Sequence, residues 1–461
     1  MKIALLVHCF FPAHFYGTES YTLELAKNLR TLGHTPVIIT AVFPGEPGKN
    51  QEISFYEYEG LPVFCIDKNY YPNTRVKDTY YQPELRDLFR PLLQQIQPDI
   101  LHVTHLIQHT GVALEVAAEL GIPAIATFTD FFGFCFNNKL QAADGSLCRG
   151  PNRTRTNCLA CLLKARGDNP TADRIDRIFG TYPLSRVAAS SLNQARRIPG
   201  LSKGKLAGFV LDITRRPDIL AECYSLYRAA IAPTRFLRDA YLANGFRAPL
   251  HLIPFGVDSA SAPRKGHAPG APVRFGFIGQ ITPHKGVDIL VRAFTRLPSG
   301  AAELHIFGPS DQDPEFMAEL QTEAASFAVR FRGTFPREKI SDIFSELDVL
   351  VIPSRWYENS PLVLLSALAS QTPVVVSDVE GMTEFVEEGK NGWIFPRGSV
   401  DRLEQILRRV SPAEISKVAS TTLYHRTTHA MAVEVLQVYE AVMGKSAPAE
   451  IDRSAQRARR E

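Results

Sequence analysis

The stretch Leu347-Asp348-Val349-Leu350-Val351-Ile352-Pro353-Ser354 constrains the fold more than any other segment of the chain. It is apolar and rich in β-branched residues until it meets a breaker, the pattern of a strand buried on both faces. A polar loop, Arg355-Trp356-Tyr357-Glu358-Asn359-Ser360, follows, and Pro361-Leu362-Val363-Leu364-Leu365-Ser366-Ala367-Leu368-Ala369 then opens a helix. Proline suits a first helical turn, where its missing N–H is no loss. A strand feeding such a loop into a helix N-terminus leaves backbone N–H groups beside the positive end of a helix dipole, which is an anion site. Glu358 stands at its mouth. A carboxylate there suits a sugar hydroxyl held beside a phosphate, so the segment reads as a nucleotide-sugar site.

The remainder alternates strand and helix periods. Strands are predicted at Lys2–Cys9, Thr35–Val42, Ile100–Thr104, Pro123–Phe128, Ala229–Ala232 and Pro249–Ile253, with helices at Ser20–Leu32, Glu84–Gln95 and Gly111–Glu119. This is a βαβ rhythm, and it implies a parallel sheet with helices on both faces. Residues 259–272, rich in Pro, Gly, Ala and Ser and without periodicity, read as a linker. The rhythm then restarts with strands at Val273–Ile278, Glu303–Phe307, Val329–Arg332 and Pro373–Ser377 and helices at Gly286–Arg296 and Glu315–Ser326. With 461 residues there is room for two α/β domains, predicted at 1–258 and 273–426, with the active site in the cleft between them. Met431, Val435, Val438, Tyr439 and Val442 share one stripe of a helix predicted at 427–443, which must dock somewhere. Residues 444–461 read as a disordered basic tail.

Charge narrows the partners. A formal charge of +3 is too small to argue for nucleic acid, but Arg149 to Arg216 holds fourteen Lys or Arg against four Asp. Such a face fits an anionic membrane surface or a phosphate-bearing acceptor; it fits equally a solvated helical face. Seven cysteines in a chain of this size favour a reducing compartment. Met1 to Phe11 is short and runs into Pro12, which fits a first buried strand better than a secretory signal. A cytoplasmic protein, peripheral at the inner face of a membrane if the basic stretch binds lipid, is expected.

Other groups carry chemistry. Gly279-Gln280-Ile281-Thr282-Pro283-His284-Lys285-Gly286 follows a predicted strand, and Lys285 just before a helix can neutralise a departing diphosphate. Tyr16-Gly17-Thr18-Glu19 lies between the first strand and its helix; Gly17 can admit a phosphate to the backbone, or Thr18 can simply cap the helix. Asp311-Gln312-Asp313 reads as a helix cap rather than a metal site, and His8, His102 and His105 as structural histidines at strand ends. Cys135, Cys148, Cys158 and Cys161 include one pair at zinc spacing, Cys158-Leu-Ala-Cys161. Two readings stay open for them: a structural zinc site, its charge offset by nearby arginines, or four reduced thiols.

Several of these motifs together resemble the retaining, family four glycosyltransferases of the GT-B fold. They are Gly17-Thr18-Glu19, Gly33-His34, Ala232-Pro233-Thr234, Ile253-Pro254-Phe255-Gly256-Val257-Asp258, Gly279-Gln280, Lys285-Gly286-Val287-Asp288, Pro353-Ser354 with Glu358, Pro373-Val374-Val375, Gly381-Met382 with Glu384, and Asn391-Gly392. The resemblance implies two Rossmann-like domains facing across a cleft, the first, with its cysteine-bearing insertion at 131–166, binding the acceptor and the second the nucleotide sugar. The last helix would cross back to the first domain. Lys285 would hold the donor diphosphate, Glu358 a sugar hydroxyl, and Asp130 would be the third catalytic group; the amides of Gly17, Asn359, Ser360 and Leu362 would complete the donor site, with Thr18, Thr129, Gly279, Gln280 and Ser366 also binding substrate. No cofactor would be required for catalysis.

The implied reaction is transfer of a sugar from a nucleoside diphosphate to a hydroxyl of a glycan or lipid-linked acceptor, with retention. Bond cleavage runs ahead of attack, and the departing diphosphate takes the acceptor's proton, so no strong general base is needed. Three positions depart from the family pattern: Ser366 replaces a ribose-binding glutamate, Gln280 an arginine, and Thr129, before Asp130, a histidine. These motivate a rival reading, a donor-binding or scaffold homologue without transfer. A nicotinamide oxidoreductase fits less well, because no full Gly-x-Gly-x-x-Gly fingerprint with a ribose-binding acid is present.

Overall fold

The computed structural model describes residues 1–48, 50–167, 182–195, 205–258, 270–422 and 424–444. Most of the expected linker, the tail beyond 444 and two pieces of the basic stretch lie outside the described residues. The first sheet comprises β1 (Lys2–Leu6), β2 (Thr35–Val42), β3 (Ile53–Tyr58), β4 (Leu61–Asp67), β5 (Ile100–Val103), β6 (Ala124–Thr127), β7 (Tyr227–Ala232) and β8 (Leu250–Leu252). The second comprises β9 (Val273–Ile278), β10 (Ala302–Phe307), β11 (Val329–Gly333), β12 (Val349–Ile352), β13 (Val374–Ser377) and β14 (Gly392–Phe395).

Their orders are β3-β4-β2-β1-β5-β6-β7-β8 and β11-β10-β9-β12-β13-β14. Among the described strands of the two sheets, only β3 with β4 pairs antiparallel. Each sheet is wound outward in both directions from its first strand, so its order reverses between β1 and β5, and again between β9 and β12. At such switch points the loops leaving the two central strands part to opposite faces and open a crevice at their carboxyl ends. β12 and β13 are buried at every position, as the apolar run requires.

The hairpin of β3 and β4 was not expected. It turns through Glu59 and Gly60, both at positive φ (48° and 72°), which matches the twist of a two-residue hairpin loop. Its first strand is only half-buried, because it forms an edge, so it lacks the apolar run that marks the central strands.

The last helix, Thr428–Val442, docks on the first domain. Met431, Val435, Val438 and Tyr439 are buried in one cluster with Ile3 and Leu5 of β1 and with Leu25 and Leu29 of the helix Gly17–Thr31. Val442, the last of the stripe, is only partly buried against it. The chain leaving β8 is pinned to the start of this helix, where Thr428 N–H donates to Asp258 Oδ1 at 3.1 Å. A Cβ on Gly256 would stand 2.1 Å from the Thr427 carbonyl oxygen, so only glycine permits that approach.

A buried polar chain runs beneath this contact. His102 Nδ1 lies 2.6 Å from the Tyr439 hydroxyl and its Nε2 2.9 Å from Thr127 Oγ1, which in turn meets the Tyr21 hydroxyl at 2.8 Å. Burial pushes the His102 imidazole down to about 3, so it stays neutral in the folded chain. In the unfolded chain it titrates near ~6.5. Its contribution is therefore fully present above that pH and is lost as pH falls toward 3, at about 1.4 kcal/mol per pH unit. Urea unfolding at pH 7 and pH 5 should give a midpoint less pH-sensitive in His102→Gln than in the parent; equal sensitivity would place the proton uptake elsewhere.

Candidate active site

The crevice of the second sheet is built by the turns leaving β9 and β12. After β9 the chain passes Gly279 and Gln280, both partly buried, and makes a short 3₁₀ turn over Pro283–Lys285. Gly286 ends the turn at φ 72°, and a Cβ there would lie 2.0 Å from the Pro353 carbonyl oxygen. The lysine turn is thus seated directly on the backbone leaving β12. Arg355 fastens the two together: its N–H donates to His284 O (2.9 Å), and its guanidinium to Pro283 O (2.9 Å) and Asp288 Oδ2 (2.6 Å).

Lys285 and Glu358, distant in sequence, therefore meet. The Nζ of Lys285 donates to Glu358 Oε1 at 2.7 Å. The same oxygen accepts from Trp356 Nε1 at 3.0 Å and from the hydroxyl of Ser354, whose carbonyl accepts from Ser377 Oγ of β13 at 2.7 Å. The Glu358 loop is also clamped from behind. Gly381, at φ 87°, comes so close that a Cβ would be 1.5 Å from the Glu358 carbonyl oxygen.

Cations crowd this crevice. Lys285 Nζ lies 5.2 Å from the centre of the Trp356 ring and Lys139 Nζ 4.8 Å from it, while the His284 ring approaches to 4.0 Å. Burial and then the Lys285 charge lower the pKa of Lys139. Burial, Lys139 and Lys285 bring His284 down to about 3, leaving it neutral. Cations held at this cost in a part-buried site favour an entering anion.

The helix Leu362–Ala369 begins one residue later than expected: Pro361 is its N-cap, at φ −57° and ψ 122°, and offers no side-chain acceptor. Leu362 is the first helical residue, and Ser366 sits, half-buried, one turn further along. Ser360 adopts φ 58°, and its buried hydroxyl and the buried Oδ1 of Asn359 have no protein hydrogen-bond partner. Asn359 Nδ2 reaches across to the Thr129 carbonyl of the first domain at 3.2 Å. The ring of Tyr357 packs 4.5 Å from Phe236 and 6.3 Å from Phe131, which keeps the Glu358 loop against that domain.

Facing it at the end of β6 are Thr129 and Asp130. The Thr129 hydroxyl donates to the Thr104 carbonyl at 3.1 Å and so turns back toward its own sheet. An imidazole is nevertheless present, supplied by His105 at the end of the neighbouring β5. Its Nδ1 accepts the Ile107 N–H at 3.0 Å, which leaves the proton on Nε2 to donate to Asp130 Oδ2 at 2.7 Å. Asp130 Oδ1 accepts the Phe132 N–H at 2.8 Å. His105 is thus the partner of a candidate catalytic carboxylate and not merely a structural histidine. Lys139 and Trp356 are further members of the site that sequence reasoning missed, and Ser354, read only as part of the Pro353-Ser354 motif, joins them.

The Tyr16 turn borders the same cleft: Gln312 Nε2 donates to the Tyr16 hydroxyl at 2.6 Å. The helix starts at Gly17 with Tyr16 as N-cap and no side-chain acceptor, so Thr18 lies inside the helix and does not cap it. A Cβ on Gly17 would enter open space. Asp313, by contrast, caps its helix as expected, accepting the Phe316 N–H at 3.1 Å. Of the four loop cysteines, Cys158 and Cys161 lie on the helix Thr156–Gly167, and Cys135 and Cys148 flank the segment that carries Lys139. Among the described residues the one set of three metal-capable ligand atoms within 4.8 Å of one another is His8, Cys9 and Glu19, so those thiols do not stand at ligand spacing.

Comparison with known proteins agrees with this architecture. Residues 272–411 match the family described as glycosyl transferases group 1, and residues 15–144 match glycosyltransferase family 4. The chain belongs to the family 4, group 1 glycosyltransferases. This glycosyltransferase homologue is 32% identical over 193 residues to D-inositol 3-phosphate glycosyltransferase of Nocardia farcinica, covering 38% of this chain and 42% of that protein. It is 28% identical over 154 residues to an amylovoran biosynthesis glycosyltransferase of Erwinia amylovora, covering 32% and 38%. The matched stretches thus span less than half of either relative. Sucrose-phosphate synthase from Thermosynechococcus elongatus superposes with a TM-score of 0.61 at 17% identity, covering 96% of this chain and 100% of that one. Anabaena HepE in complex with UDP-glucose gives 0.59 at 14% identity, covering 96% and 100%. These likenesses establish the GT-B fold.

The clamp behind Glu358 is open to test. Gly381→Ala adds both a clash and a side chain at positive φ, and should cost more than ~1 kcal/mol. Thermal unfolding should fall by a few degrees, with altered Trp356 emission as the loop shifts. Unchanged melting and emission would mean that the loop is not held from this side.

Proposed function

We propose that this glycosyltransferase homologue moves a hexose from a nucleoside diphosphate to a hydroxyl of a glycan or lipid-linked acceptor, with retention of anomeric configuration. The carrying observation is the 2.7 Å contact of Lys285 with Glu358 at the switch point of the second sheet, among further cations. Open α/β sheets bind ligands at such a point. The diphosphate takes up Lys285 and the free amides of the Glu358 loop; Glu358 then accepts from hydroxyls of the hexose. Anabaena HepE was solved with UDP-glucose, which makes UDP-glucose the first donor to examine.

In this reading the bond from the hexose C1 to the diphosphate oxygen breaks ahead of attack. The acceptor oxygen bonds to C1 on the same face, and its proton passes to the departing diphosphate. Lys285 offsets the charge that develops there. Asp130, oriented by His105 and the Phe132 amide, offers a fixed hydrogen-bond acceptor from the opposite domain. His105 acts through Asp130, since both of its ring nitrogens are already engaged. An acceptor held at a membrane inner face by the basic stretch belongs to the same proposal; no helix among the described residues is long and apolar enough to cross a membrane.

Slow hydrolysis of the donor tests the chemistry without the acceptor. Incubation with UDP-, GDP- and ADP-sugars should release nucleoside diphosphate from one of them. Removing one preorganised electrostatic partner typically costs about 3–4 kcal/mol in the barrier, so Lys285→Ala should lose roughly two to three orders of magnitude in turnover. Turnover within a factor of two of the parent contradicts the assignment. Binding without turnover in the parent itself would leave a donor-binding protein.

A further inference from the structure

The first sheet has a switch point of its own, between β1 and β5, and the side chains at its mouth form a cluster that the transfer reaction does not use. The chain leaving β1 is held on both sides: Val7 N–H donates to Ile39 O at 2.9 Å, and Val7 O accepts from His109 Nε2 at 2.7 Å. His8 and Cys9 follow directly. Glu19 meets them from the first turn of the helix Gly17–Thr31. Its Oε1 accepts from the Cys9 thiol at 2.9 Å and lies 3.3 Å from His8 Nε2. One nitrogen, one sulfur and one carboxylate oxygen thus stand within 4.8 Å of one another.

That spacing suits ligands of one ion. Bonds of about 2.0–2.3 Å to a tetrahedral zinc put its ligand atoms roughly 3.3–3.7 Å apart, so the two contacts at Glu19 would change by less than about 1 Å. Burial makes the cluster costly as it stands. Cys9 is 3% exposed and Glu19 1%, and Glu19 Oε2 has no hydrogen-bond partner. Among the described residues the ion-pair partner of Glu19 is His8, and no lysine or arginine reaches it. The start of the helix offers only partial positive charge, and a thiol is a weak donor. A proton on His8 would serve Oε1 alone. It would also bury a charged imidazole whose Nδ1 has no acceptor. A divalent ion with one thiolate, one carboxylate and one neutral imidazole makes a cluster of zero net charge. Nitrogen and sulfur among the ligands favour zinc over magnesium or calcium. The imidazole is already fixed, its ring 4.4 Å from that of His105 and 6.1 Å from that of Phe43.

We infer that His8, Cys9 and Glu19 bind one Zn²⁺ through an imidazole nitrogen, the Cys9 sulfur and the Glu19 carboxylate, with the fourth position open to the crevice of the first sheet. The opening is on the side of His8, whose side chain is 17% exposed. On binding, the Cys9 thiol releases its proton to solvent; one Zn–S, one Zn–N and one Zn–O bond form, and the S–H to Oε1 hydrogen bond is lost. Three protein ligands with an exchangeable fourth leave room for water or another oxygen ligand. His105, beside His8, donates to Asp130, so the ion adjoins the first-domain wall of the cleft. It does not depend on which reaction the cleft performs.

The test is titration of the full chain, stripped of metal and kept reduced, with Co²⁺ and then with Zn²⁺. The parent should take up one Co²⁺ per chain with a thiolate-to-cobalt charge-transfer band and tetrahedral visible absorption, and Zn²⁺ should displace it. Cys9→Ser should abolish the band, and Glu19→Gln should weaken Co²⁺ binding at least tenfold while keeping the band at saturation. Cys158→Ser should change neither. Because the parent is measured first, poor folding of a variant cannot rescue the inference: no saturable cobalt–thiolate band in the parent overturns it. A band that survives Cys9→Ser and is lost in Cys158→Ser overturns it too, by placing the ion on the loop cysteines. Co²⁺ affinity unchanged in Glu19→Gln contradicts the three-ligand set.

Discussion

Everything in the cleft depends on one close approach, the seating of Gly286 on the backbone that leaves β12. Parallel pairing puts β9 and β12 side by side, but it does not by itself bring their loops into contact. A side chain at 286 would have to occupy the position of the Pro353 carbonyl, 2.0 Å away. Glycine, also free to take φ 72°, lets the two turns lie against each other, and Arg355 then fastens them with three hydrogen bonds. Lys285 then meets the carboxylate of Glu358 at 2.7 Å. A lysine and a glutamate 73 residues apart become one site because of one missing Cβ.

Tolerance for such an arrangement comes from the sheet beneath it. The central strands are buried on both faces, so their register is strongly specified, and the loops at their carboxyl ends inherit that rigidity. The site is mounted on stiff strands but made of turns, which is the usual division between scaffold and chemistry. The opposite wall is built in the same way from the ends of β5 and β6, where His105 and Asp130 meet. The helix Thr428–Val442 starts on the chain leaving β8 and packs with β1 and the Gly17–Thr31 helix, so this helix braces the first domain.

The central strands and most helices were legible in the sequence because burial on both faces writes itself as an apolar run, and one-sided burial as a 3.6-residue stripe. Edge elements were not. β3 carries an alternating, half-exposed pattern, and β14 is a Gly-Trp-Ile-Phe run too short to show a period, although the Asn391-Gly392 motif stands at its start. In the site, Lys285 and Glu358 could be read because each sits in a local strand–turn–helix pattern. His105 and Lys139 could not, since their partners come from a neighbouring strand and from the other domain, and Trp356, whose indole bonds Glu358 two residues on, carries no pattern of its own. Thr129 is instructive: a lost imidazole at that position looked like a weakened site, yet the next strand provides one, bonded to Asp130. Sequence position and spatial position separate at a switch point, and a substitution read along the chain misses a replacement that arrives from the side. Thr18 failed as a cap for a smaller reason, because the helix begins before it.

The account is tested most directly by hydrogen–deuterium exchange of the full chain with and without saturating UDP-glucose. It predicts slowed exchange in the amides of 279–287 and 359–365, the turn that carries Lys285 and the start of the helix beyond Glu358, with weaker protection near Tyr16. Saturable binding with protection confined to other segments, and none at these two, would contradict it.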